Sequence, residues 1–133
     1  MGVRGALVVA AIAVQTAGCL VNVERVADPG PAFAKARAQA ERLSGQPGPA
    51  HELNVLVYDR DQRKLVRVSL PIWMVHELGG HDGLDFDSDV VRDNRAARRA
   101  ARHLRLEDIE RAGLGILAEV REEGGDRVLV WLS

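Results

Sequence analysis

A chain of 133 residues, 47% apolar and 28% charged, has room for one globular domain with short appendages and can bury a core. Eighteen basic against nineteen acidic side chains leave a net charge of -1, which excludes a protein built chiefly to grip the polyanionic backbone of nucleic acid. Aromatic residues make up only 4%, too few to provide stacking platforms for bases or sugars.

At the N-terminus Arg4 supplies a short positive segment and Ala6 to Val14 (ALVVAAIAV) is an apolar run too short to cross a bilayer as a helix. Gln15-Thr16-Ala17-Gly18 then leads, with small residues, to Cys19, the single cysteine of the chain. These residues resemble a bacterial lipoprotein signal, with Thr16 where that family usually carries Leu. The resemblance implies a signal peptide over residues 1-18, cleavage after Gly18, and palmitate-type acylation of Cys19, so that the membrane becomes the first partner. It also implies a location in the cell envelope, facing the periplasm. Leu20 stands where members kept on the inner membrane often carry Asp, so the likeness leans towards the outer membrane if the host has one. Two or three acyl chains, at about 0.8 kcal/mol per buried methylene, hold a protein on a bilayer where one chain does not. The alternative for Cys19 is an unmodified thiol in an ordinary secretory signal or an apolar N-terminal helix. With no second cysteine, no intramolecular disulfide can form, and the core must suffice alone.

Residues 19-50 read as an N-terminal tether with a short helix and a linker. Leu20 to Pro31 is the tether, and Ala32 to Leu43 (AFAKARAQAERL) is rich in helix formers with Phe33, Ala36, Ala40 and Leu43 near one face. Ser44-Gly45-Gln46-Pro47-Gly48-Pro49 breaks regular structure and marks a domain boundary, with a small domain over residues 51-133. From Leu53 the apolar period becomes two. Leu53, Val55 and Val57, then Val66, Val68 and Leu70, predict a hairpin with one buried face around the polar turn Asp59-Arg60-Asp61-Gln62. Pro71 suits the first turn of a helix through Leu78, which Gly79-Gly80 stops. Asp87 or Ser88 can cap a second helix running through Arg102, and Leu106 to Glu110 forms a further helical turn. A second hairpin, Ile116 to Arg121 and Arg127 to Leu132, closes the chain around Glu122-Glu123-Gly124-Gly125-Asp126.

The expected fold class is therefore α+β: a four-stranded antiparallel sheet from two hairpins with two or three helices packed on one face. The core is expected from Val55, Val57, Val66, Val68, Ile72, Val75, Ile109, Ile116, Val120, Val128 and Val130. The stretches LNVLVYDRDQRKLVRVSLPIWMV (Leu53 to Val75) and LEDIERAGLGILAEVREEGGDRVLVWL (Leu106 to Leu132) resemble a β-hairpin and helix module found behind SHOCT-like segments in bacterial proteins of unknown function. That resemblance implies a fold and brings no catalytic residues with it.

One stretch invites a chemical reading. His76-Glu77 followed by His81 is close to the zinc-protease signature, in which two histidines at i and i+4 share a helix with the glutamate aimed at the metal-bound water. Helical residues four apart diverge by about 40°, whereas five apart diverge by about 140°, so His76 and His81 face different sides. A metal site or zinc-dependent hydrolase using His76, Glu77 and His81, with a third ligand from Asp82, Asp85 or Asp87 or from His103, stands as the alternative function. Asp85, Asp87 and Asp89 alternate like the start of a calcium loop, but Val90 replaces the glycine needed at the sixth position and Ala96 the closing glutamate at the twelfth. Arg92, Arg95, Arg99 and Arg102 fall on one helical face, where they suit an anionic membrane surface or, more simply, solvated pairing with nearby acids. No nucleophile elbow, phosphate loop or dinucleotide fingerprint is present. The sequence thus predicts a membrane-anchored lipoprotein without enzymatic activity or cofactor, with an envelope-structural role or an unidentified envelope protein as partner.

Overall fold

The computed structural model describes residues 20-80, 83-84, 94-104 and 106-133. Within them the chain runs β1 (Leu20–Arg25), α1 (Gly30–Leu43), β2 (Glu52–Asp59), β3 (Lys64–Pro71), α2 (Ile72–Leu78), β4 (Gly79–Gly80), β5 (Gly83–Leu84), α3 (Arg95–His103), α4 (Leu106–Arg111), β6 (Gly115–Arg121) and β7 (Arg127–Leu132). The fold is α+β, as expected, but the main sheet has five strands in the order β1-β3-β2-β7-β6 where four were expected. Each expected hairpin forms, and the two join through antiparallel pairing of β2 with β7 at the centre. The fifth strand is β1, which pairs antiparallel with β3. Residues 20-43, expected as a tether and helix outside the domain, thus belong to the same sheet and core.

The second correction concerns the faces. In β2, Leu53, Val55 and Val57 join a core formed with Val66, Val75, Ala96, Ala100, Ile109, Val128, Val130 and Leu132. The alternate residues Leu56 and Tyr58 join a second core with Phe33, Ala36, Ala40, Leu65, Leu129 and Trp131. Side chains alternate across a strand, so the sheet is covered on both faces, by α1 on one and by α2, α3 and α4 on the other, not on one alone. Phe33, Ala36 and Ala40 recur at helical spacing, and the two alanines let α1 approach β6 and β7 closely.

Most of the expected core is buried, with Val68, Ile72 and Val120 at its edge and Ile116 the exception at 39% exposure. A register shift between Ile116 and Ala118 inserts one residue into β6. An extra residue exchanges the faces upstream of it, so Ile116 lies opposite Trp131 on the α1 side while Leu117 packs on the other core.

Polar contacts fix the register. Asn54, 7% exposed, accepts a hydrogen bond from the Ser69 hydroxyl at 2.8 Å and donates to the Ser133 hydroxyl at 2.9 Å, linking β3, β2 and the C-terminal residue. The two hairpin turns are also tied together. The Arg60 amide donates to Asp126 Oδ1 at 3.0 Å and its guanidinium to the Gly124 carbonyl at 3.0 Å.

Candidate functional site

Cys19 lies outside the described residues, and Leu20 opens β1. The segment after β1 is held rather than loose. Tyr58, buried in the α1-side core, donates its hydroxyl to the Val26 carbonyl at 3.1 Å, and the Val26 amide donates to the Arg63 carbonyl at 2.9 Å.

His76 and Glu77 stand exposed on α2, which ends at Leu78 and passes straight into β4. The helical frame that gives the zinc-protease signature its geometry does not continue beyond Leu78. His81 and Asp85 lie outside the described residues, as do Asp87, Ser88, Asp89 and Arg92. Among the described residues no group of three potential metal-ligating side chains comes together.

The expected arginine helix is α3, and its N-cap is Asn94 in place of Asp87 or Ser88. Asn94 is fully buried; its Oδ1 accepts from the Ala97 amide at 3.0 Å and its Nδ2 donates to the Tyr58 carbonyl at 3.2 Å. One side chain thus caps the helix and ties it to β2. Ala96, Ala97 and Ala100 face the core, leaving Arg95, Arg98 and Arg99 exposed. Arg99 pairs with Glu122 at 3.2 Å, so part of the stripe takes the bland, solvent-paired arrangement. Arg102 lies within α3.

On the opposite face α1 lies over β6 and β7, which leaves a shallow groove of about 180 Å³ above β1 and β3. Leu56 and Leu65 floor it, and Asn22, Glu24, Lys35 and Arg67 rim it. Small-molecule sites run to roughly 300–1,000 Å³, so this groove suits one or two side chains of a protein partner better than an enclosed substrate. Beside it the Arg67 guanidinium lies 5.9 Å from the Trp131 ring.

A second basic cluster lies at the far side of the same face. Arg127 stacks on Phe33 with 4.3 Å between guanidinium carbon and ring centre, and its buried Nε has no hydrogen-bond partner among the described residues. Burial first, then the like charges of Arg121 and Arg37, lowers its pKa from the usual arginine value, against a smaller opposing pull from Asp28. Arg37 and Arg121 share Glu119 as their carboxylate. Sequence reasoning passed over this cluster and the groove because their members come from segments far apart in the chain.

No helix among the described residues is long and apolar enough to cross a membrane. In comparison with known proteins, the chain matches no family model, no curated protein and no solved structure.

Proposed function

We propose that the chain is an exported lipoprotein, anchored through acylated Cys19, whose α+β body serves as a non-catalytic interaction module of the cell envelope. The observation that carries this reading is the lipoprotein-like segment itself: a short apolar run, then small residues leading to the chain's lone cysteine, Cys19. The groove between α1 and the β1–β3 edge supports the interaction role, since it offers an apolar floor with both signs of charge on its rim. The envelope location rests on the signal-like segment, and the outer membrane is favoured by Leu20 following the cysteine.

Growth with labelled palmitate, followed by membrane fractionation, tests the reading. The protein is expected to carry label and to sediment with membranes, and Cys19→Ser to lose both. An unlabelled wild-type protein recovered from the soluble interior contradicts it.

A further inference from the structure

We propose that Val21 and Val23 of β1, together with Trp73 of α2, form a membrane-contact corner that lies in the interfacial layer of the bilayer; the assignment rests on the lipoprotein reading above. Val21 is 58% exposed, Val23 53% and Trp73 52%, and these are three of the four exposed large apolar residues described, Ile116 being the fourth. Their placement is not scattered. Val21 lies opposite Val68 and Val23 opposite Val66, and both partners belong to the core beneath α2 and α3, so the two valines look towards that face. Trp73 sits on the helix that covers the same face, beside Ile72 and Met74, which pack on that core.

Val21 lies towards the end of the sheet where β3 gives way to α2, and Val23 lies two residues further along the same face of β1. Leu20 lies opposite Ser69, so β1 begins where β3 is about to end at Pro71 and hand the chain to α2. The strand itself is two-sided: Asn22 and Glu24 line the groove on the opposite face, while Val21 and Val23 have no helix over them among the described residues, α3 packing over β6 and β7 on the other half of the sheet.

The occupant follows from the chain. One extended residue spans at most about 3.6 Å, so a lipid on Cys19 holds the start of β1 within roughly one residue of the acyl chains. The polar interfacial layer of a bilayer is itself only about 5–8 Å thick on each side. A body tied so closely cannot stand clear of that layer, and the part nearest the tie is the corner carrying exposed apolar side chains. An indole, apolar in its body and polar at its N–H, partitions well to that depth.

The test uses the acylated protein in phosphatidylcholine vesicles with bromine at defined acyl depths, with tryptophan fluorescence as readout. Trp131 is 4% exposed and stays shielded by the body, so quenching reports Trp73. Quenching is expected from bromine near the headgroups, to be abolished in Trp73→Ser, and to shift to a shallower, water-like emission in Val21→Ser/Val23→Ser. Absence of quenching in protein shown by mass to be acylated overturns the proposal and leaves the anchor standing. Disulfide-linked pairs of Val21→Cys protein in place of quenching overturn it in favour of a second copy on that corner. A chain found unacylated and soluble removes the anchor and the proposal together.

Discussion

Leu20 of β1 stands directly opposite Ser69 of β3, so the residue after Cys19 is already part of the sheet ladder. Leu20 to Arg25, expected as part of a tether, is instead a strand of the main sheet. The polar side of β1 and its groove turn away from the valine-bearing side and would be open to a partner in the envelope space.

The Tyr58 hydroxyl ties the segment between β1 and α1 to β2 through the Val26 carbonyl. Removing it in Tyr58→Phe is expected to cost about 0.5–1.5 kcal/mol, the usual net value of an intramolecular hydrogen bond. Hydrogen exchange distinguishes this from a global effect: amides of β1 are expected to lose protection before those of β2 and β7.

Asn94 caps α3 and donates to β2 from a fully buried position. Asn94→Ala removes a cap worth about 1 kcal/mol and leaves the Tyr58 carbonyl without that donor, for a combined loss of roughly 2–3 kcal/mol. Asn94→Asp keeps the cap but sets a buried carboxylate oxygen against the Tyr58 carbonyl, so it is expected to lose at least as much as Asn94→Ala at neutral pH. Chemical denaturation of the three proteins checks the order.

Gly125 has φ 99°, and a Cβ there would approach Arg60 Cδ to 2.4 Å. The left-handed backbone alone costs an L-residue about 1–2 kcal/mol, and the clash also displaces Arg60 from the Gly124 carbonyl. Gly125→Ala is expected to lower the melting temperature, whereas Gly124→Ala, with open space around its Cβ, is expected to do so far less.

Arg127 carries a buried Nε with no partner among the described residues and a charge disfavoured by burial and by Arg121 and Arg37. A base whose folded pKa is lowered binds fewer protons than in the unfolded chain, so its penalty is present at neutral pH and lifts only as pH rises towards the strongly alkaline range. Arg127→Leu removes that penalty but also the contact with Phe33, worth about 0.5–1 kcal/mol, so stability is expected to stay within roughly 1 kcal/mol of the parent across neutral pH. A much larger loss in thermal unfolding would show that the guanidinium makes a contact the fold requires.

The hairpins were legible because Leu53–Val57, Val66–Leu70 and Val128–Val130 alternate at period two and their turns are polar or glycine-rich. The stop of α2 at Leu78 was legible in Gly79-Gly80. Two-sided coverage was also written in the chain: Val128-Leu129-Val130-Trp131-Leu132 is an unbroken apolar run, the mark of a strand buried on both faces, and Leu56 and Tyr58 fill the supposedly open face of β2. Strand β1 was hard to see because its partner β3 lies some forty residues downstream and its own period is short. The bulge beside Leu117 leaves no local signal, so Ile116 was assigned to the wrong face. Of the site residues, the exposure of Arg95 and Arg99 was readable from helical spacing; the Asn94 cap, the groove and the Arg127 cluster depend on contacts between distant segments.

The central claim, that Cys19 becomes the lipid-bearing first residue of the mature protein, is tested most directly by intact-mass spectrometry of the protein extracted from its own cells. The account predicts a polypeptide beginning at Cys19 with added mass equal to two or three fatty acyl chains and their linker. A mass showing the residues before Cys19 still attached and no added acyl group would contradict it.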